Sequence, residues 1–373
     1  MTRRGPRRHV ARLAALALVV PVVVVSAGCA GLDDPASAAP SIAATPTAAP
    51  AASATPVRIG VSTTVGDTGW GAASVCSIRA EARLVGDVVV TVRAHETDAA
   101  GQAADLRDLA ALGSEAIIVD PVDPKALAKP VKELVDAGVV VVSIGQEIPG
   151  SGAYTVATDQ RRLGEDGATW LFDTLGDEGK VVVIRGPASD PAQAARKAGF
   201  DAARKAHADI DVAATIDSKG DPAVAVKELN SLIADGTAFT GIWSPGIDSV
   251  IVDALRMAGH DYVPILGSDG SAFVGLLLVT AGLRGAVVTD TPAVGGAALR
   301  LALQALDGAA PDERVQLIAP KLWDSGDEAG RARLLEANDP AIDPAWPLDL
   351  SVPGWTEATP TEVVACGEAP APS

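Results

Sequence analysis

The chain alternates between short runs of consecutive apolar residues and longer stretches in which apolar positions return every three or four residues. The clearest unit is 115–145, EAIIVDPVDPKALAKPVKELVDAGVVVVSIG. Ala116 to Val119 and Val139 to Ile144 are apolar runs rich in β-branched residues, the pattern of strands buried on both faces of a parallel sheet. Between them a helix is predicted. Asp123 is placed to cap it with Pro124 at its first position, Leu127, Val131, Leu134 and Val135 share one face, and Gly138 ends it. Pro130 lies inside that helix and is expected to kink it. A right-handed crossover would bring Asp120 to Asp123 and Gly145 to Glu147 to one carboxyl edge of the sheet, where open α/β sheets bind ligands.

The same alternation fills the body of the chain. Further strands are predicted at 57–61, 88–93, 155–157, 180–184, 212–216, 241–243, 263–266 and 285–289. Helices are predicted at 70–84, 99–112, 162–175, 190–206, 223–234, 247–258, 272–278 and 295–306. The class is therefore α/β with parallel sheets, and no short-period repeat suggests a solenoid. The roughly 310 residues that follow Pro56 are long for one core and comfortable for two lobes.

The first 56 residues break the pattern. Residues 1–28 carry Arg3, Arg4, Arg7, Arg8 and Arg12, then an apolar run from Leu13 to Val25, then Ser26, Ala27 and Gly28 before Cys29. That run is too short to span a bilayer, and the basic flank and small-residue exit match a cleaved export signal. VSAGC resembles the bacterial lipobox, in which the cysteine after the cut is lipidated. Cys29 is then the lipid anchor, holding the protein to the outer face of the cytoplasmic membrane; the alternative is ordinary secretion with an incidental cysteine. Residues 29–56 are almost wholly Ala, Pro, Ser, Thr and Gly, which cannot bury a core, and read as a semi-extended tether.

Removing the leader takes away five arginines and no acid, so the whole-chain charge of −17 becomes −22. A body this acidic should avoid nucleic acid, and should meet anionic membrane only through its anchor. Of three cysteines, Cys76 and Cys366 remain. In an oxidising compartment leftover cysteines pair more often than they stay free, so a bridge from near the first helix to the extreme tail is expected.

Enzyme signatures are missing from the sequence: no GxSxG, HExxH, GxxxxGK[ST], or GxGxxG after a strand. Two isolated cysteines and scattered His95, His207 and His260 cannot assemble a zinc site. Asp217, Asp221 and Glu228 fall at positions one, five and twelve of a calcium loop, but Lys219 and Pro222 stand where a ligand and a glycine are needed. No metal, cofactor or catalytic residue is expected.

VRIGVSTTVGDTGW, SEAIIVDPVDPKAL, VATDQRRLG, GIWSPGIDSVIVDALRMAG and ILGSDG occur in this order over residues 57–366. In that order they resemble the ribose-type (type 1) branch of the periplasmic sugar-binding proteins, which deliver ligand to ABC importers. The tail WPLDLSVPGWTEATPTEVVACG resembles one subgroup whose late cysteine accompanies an early one like Cys76. The resemblance implies two doubly wound parallel-sheet lobes joined by a hinge of three crossings, near Thr158, Thr291 and Pro320. One lobe would combine 57–157 with 291–319 and the other 158–290 with 320–345, leaving 346–373 as a tail. It also implies a monomer, with an ABC permease as partner. A binding module of the same fold that signals to a membrane receptor is the alternative.

In such proteins ligand groups come from loops that follow the strands. The resemblance places Asp67, Trp70, Asp98, Asp120 and Gln146 there in the first lobe and Asp159, Arg185, Trp243, Asp269 and Asp290 in the second. Trp70 and Trp243 are expected to stack on a sugar ring from opposite sides, packing between lobes being the plainer role for each. Asp269 matches the family's ligand aspartate, although Asp followed by Gly after a strand also makes a turn. Two departures stand out: Gly145 and Gln146 replace an Asp-Arg pair, and Thr68, Gly69 and Trp70 replace an Asn-Pro-aromatic turn. The expected ligand is a small neutral sugar or polyol.

Overall fold

The computed structural model describes residues 55–64, 69–95, 98–176, 178–187, 190–244 and 246–366. Asp67, Cys29, the leader and nearly all of the tether lie outside the described residues.

Two six-stranded sheets share one topology. In the first the order is β2 (Val88–His95), β1 (Val57–Thr64), β3 (Ala116–Val119), β4 (Val140–Ile144), β5 (Tyr154–Thr158) and β11 (Val315–Ile318), all parallel. In the second it is β7 (Asp209–Asp217), β6 (Glu178–Arg185), β8 (Gly241–Trp243), β9 (Ile265–Ser268), β10 (Gly285–Val288) and β12 (Leu322–Asp324), of which β12 alone runs antiparallel. Each sheet reverses its winding beside its first strand, and that reversal opens a crevice at the carboxyl edge.

The crossover helices are α1 (Trp70–Val85), α2 (Ala99–Ala111) and α3 (Pro124–Asp136) in the first half, followed by α4 (Gln160–Leu175), α5 (Pro191–Ala206), α6 (Pro222–Ala234), α7 (Asp248–Ala258) and α8 (Ser271–Val279) in the second. Many start in the same way. Asp98, Asp123, Asp190 and Asp221 each accept the N–H two residues on, and proline opens α3, α5 and α6, where its missing donor costs nothing. Helix α3 runs on through Pro130.

The chain passes between the sheets three times. Helix α4 follows β5 but buries Leu163, Leu171 and Phe172 against the second sheet. Helix α9 (Val294–Leu306) follows β10 but packs Val294, Ala298 and Leu301 on Ile59, Ile118 and Val142 of the first. The last passage joins β11 to β12. The passages lie together: Asp159 N donates to the Ile318 carbonyl at 2.9 Å, and Thr289 N donates to the Lys321 carbonyl at 2.9 Å. A hinge built this way lets two rigid halves move about a few backbone positions.

After β12, α10 (Glu328–Ala337) covers the second sheet, and the tail then returns to the first half. Ile342 and Leu348 lie in the second sheet's core, whereas Leu350, Ala358 and Val363 pack with Ala73, Cys76 and Ala80 of α1. The short α11 (Pro360–Val364) carries a reciprocal cap between Thr359 and Glu362 and ends beside the Cys76–Cys366 disulfide.

Four elements, β11, β12, α10 and α11, have no counterpart among the predicted ones. Strand β12 is three residues long, and β11 is an edge strand with Leu317 more than half exposed, so neither carries a run that is apolar on both faces.

Candidate functional site

A cavity of about 380 Å³ opens at the carboxyl edge of the second sheet, with Trp70 of the first half as part of its wall. Gly69, with φ +84°, turns the chain into α1 so that Trp70 is its first residue. The indole is half-buried; its Nε1 donates to the Asp290 carbonyl at 2.9 Å. A Cβ at position 145 would stand 3.6 Å from the ring, an ordinary van der Waals contact, so it is the φ of +73° at Gly145 that favours glycine beside the indole.

Opposite Trp70 stands a polar network. Asp290 follows β10; its Oδ2 accepts from Arg196 Nη2 at 2.8 Å and its Oδ1 from Gln160 Nε2 at 3.0 Å. Arg196 Nε donates to Gln160 Oε1 at 2.6 Å, which closes the ring of three. Two helices place these groups. At the α4–α5 crossing a Cβ on Gly164 would meet the Arg196 carbonyl at 2.0 Å, and one on Gly199 would meet the Arg161 carbonyl at 1.9 Å. Only glycine lets the backbones approach this closely, and that contact carries Arg196 over Gln160 and Asp290.

Asp269 is 1% exposed, and its Oδ2 accepts from the N–H groups of Leu348 at 3.1 Å and Asp349 at 2.8 Å. Burial pushes its pKa up to about 7, with Asp349 and Asp290 adding to the rise and the N–H donors opposing it. It therefore lines the cavity and anchors the tail at once. The tail in turn supplies a wall: Ser271 N donates to the Trp346 carbonyl at 2.8 Å, and Pro344, Ala345 and Pro347 face the cavity.

Asp248, at the start of α7, is 3% exposed. Its Oδ2 accepts from Ser268 N at 2.8 Å, Ser268 Oγ at 3.1 Å and Gly246 N at 3.2 Å. Its Oδ1 has no hydrogen-bond partner, and burial raises its pKa to about 7.

Of the residues expected at the site, the structure brings Trp70, Asp269 and Asp290 to this cavity. Asp120 and Gln146 lie at the ends of β3 and β4 but outside its lining. Burial raises the Asp120 pKa to about 6, and the Gln146 Oε1 is buried without a partner.

Four of the expected residues are engaged elsewhere in the structure. Asp98 and Asp159 are helix caps, their Oδ1 atoms accepting from Ala100 N at 2.9 Å and Arg162 N at 3.0 Å. Arg185 ends β6 opposite Asp217 in the strand register, and its guanidinium is committed to that cross-strand pair. Trp243 is 2% exposed and meets Phe200 edge to face at 5.4 Å. Strand alternation sends Ile242 to one face of the sheet and Trp243 to the other, under α5, so the indole stands off the sheet rather than over its edge. Arg185 and Trp243 border a separate cavity of about 230 Å³.

Arg196, Gln160, Asp248 and the 344–347 segment were not among the expected residues: Arg196 lies inside α5, Gln160 and Asp248 each begin a helix, and 344–347 belongs to the tail. Gly164 and Gly199 were the available signal, since glycine inside a helical pattern marks close packing. Among the described residues no group of three or more His, Cys, Asp or Glu could hold a metal ion.

A model of the periplasmic binding protein domain matches residues 59–310. A xylitol-binding protein of Mycolicibacterium smegmatis is 29% identical over 178 residues, 46% of this chain and 51% of the relative. The ribose import binding protein RbsB of Bacillus subtilis is 32% identical over 124 residues, 33% of this chain and 40% of the relative. The chain thus spans about half the length of these two relatives. A galactofuranose-binding protein of known structure superimposes with TM-score 0.67 at 20% identity, covering 75% of this chain and 98% of that one, a likeness of fold. These relatives are binding proteins rather than enzymes, and with two doubly wound sheets meeting at a three-passage hinge over a cavity walled from both halves, the chain belongs to the type 1 periplasmic sugar-binding protein family.

Proposed function

We propose that the protein is an extracytoplasmic lipoprotein that captures a small neutral sugar or polyol between its lobes and delivers it to an ABC import permease. The observation that carries this reading is the cavity itself, in which an indole from one half faces Asp269, Asp290 and Arg196 of the other. An aromatic face suits the C–H side of a ring, and the polar network suits hydroxyls. Neutrality follows from the charges: Arg196 is already paired with Asp290, so an anionic ligand would meet the buried Asp248 and Asp269 without compensation.

Capture would close the lobes, because groups from both halves are satisfied together only in the shut cleft. Among the described residues no helix is long and apolar enough to cross a membrane. Attachment is assigned to lipid on Cys29, and Cys29→Ala should release the protein or leave its leader uncleaved. A thermal-shift screen of sugars and polyols against the folded body tests the binding role, since a ligand at one hundred times its Kd raises stability by about 2.7 kcal/mol. Absence of any shift across pentoses, hexoses and their polyols would sink this reading.

A further inference from the structure

We propose that Asp248 is a specificity-determining residue of the cleft, whose Oδ1 accepts a hydrogen bond from a hydroxyl of the bound ligand. The inference rests on the ligand-capture reading above and names the acceptor it requires. Three observations carry it. The residue lines the cavity and is 3% exposed. Its Oδ2 is saturated by three donors while its Oδ1 has none. Glycine at 267 also lets the carboxyl pack on β9 beside the Phe273 ring: a Cβ there would stand 2.4 Å from the ring and 2.6 Å from the Asp248 carboxyl carbon. A buried acceptor without a donor is costly, so a cavity-lining carboxyl left one donor short is where a donor from outside belongs.

The surroundings set how this acceptor responds to protons. Strands β8 and β9 and helix α8 contribute no charged side chain. On α7, Asp253 and Arg256 pair with each other at the surface, and on α6 Lys227 and Glu228 do the same. Across the cavity stand Asp269 and the Arg196–Asp290 pair. No cation therefore holds Asp248 ionised, and burial keeps its free-state pKa near 7. A ligand hydroxyl donates to the carboxylate and so favours the ionised form, which means that binding releases a proton and tightens as pH rises through 7.

Asp248→Asn tests this with little disturbance. The amide oxygen can still accept from Gly246 and Ser268, and the amide NH2 then stands where Oδ1 was, a donor in place of an acceptor. Calorimetry with ribose, xylitol and the other members of the sugar and polyol panel should show wild type binding roughly ten- to a hundredfold tighter than the variant at pH 8. That ratio should shrink about tenfold by pH 6, where the wild-type acid is itself mostly protonated. Because it is a ratio, titration of Asp269 cancels from it. If the variant does not fold, the proton count decides, from calorimetry at pH 7 in phosphate and in Tris on wild type and on Asp269→Asn, which lacks the other cavity carboxyl titrating near 7: release of a fraction of a proton that persists in Asp269→Asn supports the assignment, and its absence there overturns it. Equal affinities of wild type and variant at pH 8 overturn it while leaving the capture function standing. A wild-type protein that binds no member of the panel overturns both.

Discussion

The indole Nε1 of Trp70 donates to the main-chain carbonyl of Asp290 at 2.9 Å, tying the first helix of one half to the end of the last central strand of the other. The bond crosses the cleft, and the same side chain offers its ring to the cavity. The two roles can be separated. Trp70→Phe keeps an aromatic face and loses the donor, and should cost ligand affinity about 0.5 to 1.5 kcal/mol. Trp70→Ala loses both, and should cost about 2 to 4 kcal/mol. Isothermal calorimetry with the best ligand from the screen measures each; equal losses would show that the ring face contributes nothing.

What the sequence made legible divides along physical lines. Strands such as Ala116–Val119, in which all four residues are wholly buried, announce themselves because both faces must be apolar. Helix starts were legible where Asp and Pro stand together, as at Asp123 and Pro124. Side-chain destinations were less so. Asp98, Asp159, Asp269 and Asp290 all follow strands, yet two became caps and two reached the cavity. A carboxylate that can reach the N–H groups of its own helix is satisfied locally, and whether it does so depends on backbone angles that composition does not encode. Trp70 and Trp243 look equivalent as edge tryptophans; one begins a helix and the other ends a strand, and strand alternation buried the second. Arg196 owes its position to two glycines on different helices, a relation visible only once those helices touch.

Cys76 and Cys366 are joined across a sequence separation of 290, with Cα atoms 4.2 Å apart. The bridge fixes a tail whose earlier residues are bound to Asp269, so it connects the cavity wall to α1. In the chain-entropy model closing so long a loop stabilises by about 5 to 6 kcal/mol, and measured bridges often give less. Cys76→Ser with Cys366→Ser should therefore lower the melting temperature by several degrees. Mass spectrometry of unreduced peptides checks the bridge directly. Two alkylatable thiols in exported material would contradict it.

Glu81 provides a second attachment for the tail. It is fully buried on α1, its Oε2 accepts from Arg300 Nε at 2.6 Å, and its Oε1 accepts from the N–H groups of Glu357 at 2.7 Å and Ala358 at 2.6 Å. Removing one member of a buried pair leaves the other uncompensated, which typically costs 3 to 5 kcal/mol, here about that or somewhat less because Arg300 also reaches Glu357. Glu81→Ala should show this loss in urea unfolding. Glu81→Gln, which keeps an acceptor for one partner, should lose less, and a Glu81→Ala variant as stable as the parent would remove Glu81 from the tail's support.

The buried carboxyls make stability depend on pH in an unusual direction. Asp248 and Asp269 have folded-state pKa values near 7 and Asp120 near 6, all raised by burial, against about 3.9 for an unfolded aspartate. Between about pH 4 and pH 7 the native protein therefore holds protons that the unfolded chain has lost, so stability falls as pH rises through that window and levels off above it. Asp217 works the other way: Arg185 lowers its pKa, so its contribution is lost only as pH falls below the ordinary carboxylate range. The ligand-free protein should accordingly melt highest near about pH 5 and lose stability toward about pH 8, each raised group contributing at most about 1.4 kcal/mol per pH unit. Scanning fluorimetry across that range reads the slope. Asp269→Asn removes one titrating group and should flatten it, whereas a melting temperature that climbs steadily from pH 5 to pH 8 would mean that these carboxyls are ionised, and stabilised, in the free protein.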